Sequence, residues 1–218
     1  MRACATLAAE LASFLRDSAP DRRRQRYGDM DYDWEHRVNT TGGTVGWRER
    51  LLGIFHSLYQ PTDPSAFRDM MASLPIDFHS FTFIDIGSGK GRTLLMASEY
   101  PFHKIIGVEI MPELHRVALE NIRAYNSPTQ QCTDLASICA DATEYVFPDE
   151  PFVLYLFNPV PENGLRRLLT NLESSLQRAP RTVLLLYHNP LLEPVLASSA
   201  NLEKAGGTDQ YSLYRTRQ

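Results

Sequence analysis

Residues 83–92 read FIDIGSGKGR, and the fold turns on them. Phe83 to Ile86 is a strand-like apolar run carrying a single acid, Asp85, and it empties directly into Gly87, Gly89 and Gly91. Glycines at alternate positions let the chain enter left-handed conformations and let another molecule approach the backbone closely. RTLLMASEY (92–100) follows at once with the composition of a helix. A strand, a glycine turn and a helix in that order open an α/β unit.

The same alternation continues on either side of this stretch. FTFIDI (81–86) is the first predicted strand, and KIIGVEI (Lys104–Ile110) the next. PELHRVALENIRAY (112–125) predicts a helix, with Pro112 suited to its first turn and Leu114, Val117, Ala118 and Ile122 on one face. ASICADA (136–142) reads as a short third strand. FVLYLF (Phe152–Phe157) is a continuous apolar run, as expected of a strand covered on both faces. Leu165, Leu168, Leu169, Leu172 and Leu176 mark the clearest helix in the chain, and TVLLLY (Thr182–Tyr187) a fifth strand. The tail through YSLYRT has enough β-formers for a final strand or hairpin. Strands alternating with helices predict an α/β fold with a doubly wound, mostly parallel sheet. Residues 1–80 are expected to form an N-terminal helical extension and cover, and 81–218 the main domain.

At 218 residues the chain is long enough for one domain with a well-buried core. Its apolar fraction of 43% and charged fraction of 22% are those of a globular protein. A net charge of −4 argues against a global field that draws nucleic acid or an anionic membrane. Arg22, Arg23, Arg24 and Arg26 crowd one segment, read as a solvated basic stretch, with a docking patch for an acidic partner as the alternative. Cys4, Cys132 and Cys139 are odd in number and scattered, which favours reduced thiols and a cytoplasmic setting. The six histidines are dispersed too, so no metal is expected. ACATLAAELASFL (3–15) is broken by Glu10 and too short to span a bilayer. Leu7, Leu11 and Phe14 fall at helical spacing, so the segment reads as an amphipathic helix, a signal peptide being the weaker alternative.

Three ligands suit a glycine turn after a strand. A phosphate-binding P-loop needs G-x-x-x-x-G-K-[ST], but Lys90 is followed by Gly91 and Arg92, so the hydroxyl is missing. A dinucleotide site needs G-x-G-x-x-G, and Arg92 stands where the third glycine belongs; that fit is weak. A third pattern matches better. Asp85-x-Gly87-x-Gly89-x-Gly91, with Glu109 ending the next strand, resembles motif I of the class I S-adenosylmethionine-dependent methyltransferases. ADA after the third strand and LFNPV after the fourth match two later motifs of that family in order. The resemblance runs from about Phe81 to the C-terminus. It implies a seven-stranded sheet and S-adenosylmethionine as cofactor, held by Asp85, Gly87, Ser88, Gly89, Lys90 and Gly91. It further implies ribose hydroxyls on Glu109 with Ile110 beside it, and adenine against Asp141 and the amide of Ala142. Each residue also has a blander reading: a tight turn for the glycines, a solvated strand end for Glu109, a helix N-cap for Asp141.

The family's fourth motif places a polar residue near the transferable methyl, here Asn158 followed by Pro159, the expected catalytic pair. In-line methyl transfer depends mostly on positioning, and an amine acceptor drawn into an apolar pocket has its pKa lowered. Amino-directed members usually follow this residue with Pro-Pro and an aromatic ring. Asn158-Pro159-Val160-Pro161 departs from that, which disfavours a nucleobase acceptor. IGVE and the asparagine are also similar to the seven-strand, non-SET histone-lysine methyltransferases, and SLYQPT (Ser57–Thr62) sits where that group touches the cofactor. Tyr59 then either closes the cofactor site or is a core aromatic. TTGGTVGW (40–47) reads equally as a hinge or a plain connector. His188 reads as a structural histidine, with a base near the acceptor as the alternative. The expectation is a cytoplasmic methyltransferase with a protein amine as acceptor, a lysine foremost, and a small molecule next. Its rivals are a non-catalytic nucleoside-binding regulatory protein and a nicotinamide-dependent oxidoreductase. Neither a nucleic-acid nor a membrane partner is expected.

Overall fold

The structure, a computed structural model, describes residues 30–41 and 61–217. The helix expected around Leu7, Leu11 and Phe14, the arginine segment, Cys4, the glycines of the 40–47 loop and Tyr59 lie outside the described residues. Seven strands form one sheet: β1 (Thr82–Ile86), β2 (Lys104–Glu109), β3 (Leu135–Cys139), β4 (Phe152–Leu156), β5 (Val183–His188), β6 (Leu202–Gly207) and β7 (Tyr211–Thr216). Their order is β3-β2-β1-β4-β5-β7-β6, with β1 to β5 parallel and β7 antiparallel between β5 and β6. Six helices flank it among the described residues: α1 (Met30–His36), α2 (Pro64–Ala72), α3 (Arg92–Ala97), α4 (Pro112–Ala124), α5 (Glu162–Arg178) and α6 (Glu193–Ala197). The expected doubly wound, mostly parallel architecture is therefore present, and the β-rich tail forms the β6–β7 hairpin.

Alternation of side chains along each strand divides the interior in two. Ile84, Ile86, Leu154, Leu156 and Leu185 pack against Leu165, Leu168, Leu169 and Leu172 of α5. On the opposite face, Phe83, Val153, Tyr155 and Leu186 meet Phe67, Met70 and Met71 of α2 and Leu94 and Met96 of α3. β1, β4 and β5 are thus buried on both faces, which explains their unbroken apolar runs. Each fully buried leucine or phenylalanine contributes about 1.5–3 kcal/mol. α2 lies in the N-terminal eighty residues yet packs into this core. Asp63 caps it by accepting from Ser65 and Ala66, Pro64 sets its first turn, and Phe67 meets Phe83 edge-on at 5.9 Å and Tyr155 at 6.0 Å.

α4 buries Ala118 and Asn121 while Leu114, Val117 and Ile122 are only half-buried, because it packs on the β2–β3 edge of the sheet. The third strand ends at Cys139, before Asp141 and Ala142, which enter a 3-10 turn instead. The sequence reading left out α6, whose five residues are too few for a periodic signal. The register sets Asp85 beside Gly107 of β2 and Tyr155 of β4. Gly107 has a steric reason to be glycine: a Cβ there would stand 2.6 Å from Ser88 Oγ and 2.7 Å from Leu94 Cδ1. Gly107→Ala should therefore destabilise the fold by about 1–3 kcal/mol, the usual cost of overpacking, measured by urea unfolding.

Candidate functional site

The glycine turn lies at the carboxyl ends of β1 and β2. Gly87, Gly89 and Gly91 have φ of 76°, 54° and 83°, all left-handed, so the alternating pattern answers a backbone requirement. The amides of Gly87 and Ser88 donate to Val108 O at 2.8 and 3.2 Å. Glu109 closes the turn from below. Its Oε2 accepts from the Gly89 amide and its Oε1 from the Met111 amide, both at 2.8 Å. Burial raises the Glu109 pKa, and the accepted amides oppose that rise. Each carboxylate oxygen has a further lone pair with which to accept from a diol.

Asp85 sits behind the turn, fully buried, and accepts the hydroxyl of Thr93. Burial pushes its carboxyl up to about 7, the Thr93 hydrogen bond pulls the other way, and the charge of Glu109 adds to the rise. Ser88 Oγ is buried without a hydrogen-bond partner. Lys90 Nζ donates to Asn39 Oδ1 at 3.0 Å and Thr41 O at 3.1 Å, so its side chain ties the turn to the 33–41 segment. Arg92 follows suit: it donates to Thr40 Oγ1 at 2.7 Å, pairs with Asp33 at 3.5 Å and lies over the Tyr32 ring. Asn121 of α4 donates to Lys90 O at 2.9 Å and Asn39 O at 3.0 Å, and accepts from the Asn39 amide at 2.8 Å. The sequence reading missed it; the signal was one polar residue on the inward face of an amphipathic helix.

Across the sheet, Asn158 and Asn189 end β4 and β5 in left-handed conformations, with φ of 46° and 48°. Such outliers in non-glycine residues store strain and cluster at functional sites. Asn158 Nδ2 donates to Asn189 O at 2.8 Å, and Asn158 Oδ1 accepts from the Tyr187 hydroxyl at 2.7 Å, so both ends of the amide cross-link the two strand ends. Pro159 lies against the glycine turn: a Cβ on Gly87 would stand 2.7 Å from Pro159 Cβ. Ile110 is exposed at the end of β2, Ala142 is buried, and the Asp141 carboxylate caps its turn by accepting from the Thr143 amide. Asp85, the three glycines, Ser88, Lys90 and Glu109 thus converge on one turn. Asn158 and Pro159 approach it from β4.

Beyond them, Thr62 Oγ1 and the Tyr155 hydroxyl are 2.8 Å apart, and that hydroxyl is 2.8 Å from His188 Nδ1. Burial raises Tyr155 well above the ordinary tyrosine value and pushes His188 down to about 4, against the charge of Asp63. Among the described residues no group of three or more His, Cys, Asp or Glu is placed to hold a metal, and no helix is long and apolar enough to cross a membrane.

Residues 79–168 match the model of a family described as putative methyltransferase. A precorrin-6y C5,15-methyltransferase from Geobacter metallireducens GS-15 superposes with a TM-score of 0.50 at 13% identity, over 76% of this chain and 94% of that one. At that identity the likeness speaks to fold alone. A ribosomal protein L11 methylase from Lactobacillus delbrueckii subsp. bulgaricus gives 0.49 at 18% identity, over 76% and 82%. No curated protein matches the chain. The family match over residues 79–168 and the seven-strand, Rossmann-like sheet agree with a methyltransferase that takes S-adenosylmethionine as its cofactor.

The raised pKa of Asp85 carries a sign. Folded protein holds this proton up to about pH 7, whereas the unfolded chain releases it near 3.8, so stability falls as pH rises through that window. Asp85→Asn keeps an acceptor for Thr93 and removes the titration. It should flatten the fall in unfolding free energy between pH 5 and 7 by roughly 1–2 kcal/mol, compared by urea unfolding of both proteins without ligand.

Proposed function

We propose that the enzyme transfers the methyl group to an amine, with a protein lysine as the leading acceptor and a small basic molecule as the second. The observation that carries this reading is the abutment of Gly87 on Pro159, which brings the Asn-Pro turn of β4 against the glycine turn. In this reading S-adenosylmethionine, when bound, supplies a methyl carbon activated by its sulfonium. Glu109 accepts the ribose hydroxyls, Asp141 and the Ala142 amide face adenine, and the backbone from Gly87 to Gly91 faces the amino acid end. Asn158 acts through the backbone: its amide holds the ends of β4 and β5 together, and its own carbonyl is left to orient an incoming N–H. Within the N-terminal extension, the 33–41 portion clasps the glycine turn.

Glu109→Gln, which keeps a carbonyl oxygen for one of the two amides, should weaken S-adenosylmethionine by about 1.5–3 kcal/mol, the range for hydrogen bonds to a charged group, and change the saturated rate little. A large rate loss at saturating cofactor contradicts the ribose role. Asn158→Ala should retain cofactor affinity within a few-fold and lose most methyl transfer, because the interaction it supports matters as the nucleophile approaches. The assay follows labelled methyl from the cofactor into lysine-containing peptides, small amines and nucleic acid, with Tm measured beside it. Transfer to nucleic acid alone excludes the amine reading, and an unaltered rate removes Asn158 from the site.

A further inference from the structure

An open cleft of about 480 Å³ lies at the carboxyl ends of β4 and β5, bordered by Asp63 at the start of α2, Phe157, His188, Asn189 and, from the β6–β7 turn, Asp209. Its size is that of a small-molecule site. Nothing in the cofactor reading uses it, yet Asn158 joins it to the glycine turn, because Asn158 bonds the backbone of Asn189 on its wall. Leu156 and Tyr187 are register partners, so the next residues, Phe157 and His188, stand side by side, with ring centroids 4.2 Å apart.

Three features of this cleft agree. The His188 ring is fixed through Nδ1 by Tyr155, which Thr62 holds in turn, and this leaves Nε2 for an occupant. Phe157 adds an aromatic surface, the kind that attracts a cation over its face. Two carboxylates border the cleft, and among the described residues that line it there is neither lysine nor arginine. Asp63 is held below the usual carboxylate range despite some burial, by hydrogen bonds from Ser65 and Ala66 and by the charge of Arg68, so it is ionised. Its charge also reaches His188. A protonated amine is the form of an aliphatic amine that dominates near neutral pH, and it finds here a negative field, a π face and an imidazole.

We propose that this cleft is the acceptor pocket and that it selects a cationic aliphatic amine, held by Asp63, Asp209 and the Phe157–His188 pair; the bound ammonium gives one proton to water in the open cleft before its nitrogen attacks the methyl carbon, and S-adenosylhomocysteine leaves with the electrons of the broken S–C bond. This rests on the amine reading above and names the place where the amine enters. The probe is n-butylammonium, with n-butanol as its neutral counterpart, titrated into the full chain while the His188 ring signal is followed by carbon-edited NMR. Butylammonium should move that signal saturably and butanol should not. Asp63→Asn with Asp209→Asn should weaken the ammonium at least tenfold, and the fold survives because asparagine caps a helix as well as aspartate does. Equal shifts from butanol, or unchanged ammonium affinity in the double variant, overturn the pocket. Labelled-methyl transfer separates the two ideas. Transfer to an amine whose KM is unchanged in the double variant keeps the amine reading and removes this pocket, whereas selective ammonium binding without any amine transfer does the reverse.

Discussion

The carboxylate of Glu109 joins two pieces of backbone, the glycine turn and the entry to α4, across the end of β2. One oxygen accepts the amide of Gly89 in the glycine turn, the other the amide of Met111 at the entry to α4. Both bonds are buried, and losing the carboxylate would leave two buried amides unpaired, at roughly 1–3 kcal/mol each. Two residues earlier Gly107 lacks the side chain that would displace Ser88 and Leu94. The geometry of the turn is therefore set by β2 as much as by its own glycines. IGVE is one unit: the glycine makes room and the acid fastens.

Around this turn the structure is tied in two directions. Toward the N-terminus, Lys90, Arg92 and Asn121 bind the 33–41 segment, so α1 and its following residues are coupled to the turn through buried polar groups. Such networks are strong when every member is satisfied. Toward the sheet's other half, Pro159 touches Gly87 and Asn158 fastens β4 to β5, carrying the connection to His188. Two titrating groups, Asp85 and His188, pull stability in opposite senses. Asp85 favours acid conditions over the window up to about 7. His188, whose folded value is pushed down to about 4, favours conditions above its ordinary 6.5 and loses stability as pH falls through that window.

Much of this was legible in the sequence, and the reasons differ by element. The strands could be read because β1, β4 and β5 are covered on both faces and leave unbroken apolar runs. The Leu165–Leu172 stripe could be read because α5 has one buried side. The glycine turn was legible because three left-handed positions leave a spacing that few other structures need. The partners of the polar side chains were not. Lys90 and Arg92 sit within the motif, yet their side chains reach back about fifty residues, a separation no local pattern encodes. Asn158 was legible as a position and not as a contact, since its partners are Tyr187 and Asn189 on the neighbouring strand. The cleft was invisible for the same reason, being assembled from residues as far apart in sequence as Asp63 and Asp209.

The most direct test is calorimetric titration of the purified chain with S-adenosylhomocysteine and, separately, with NAD. A glycine turn fastened by Glu109 and lacking the third glycine of a dinucleotide site should bind S-adenosylhomocysteine at one site and give no heat with NAD. Preferential binding of NAD, with S-adenosylhomocysteine silent, would contradict the assignment of this turn.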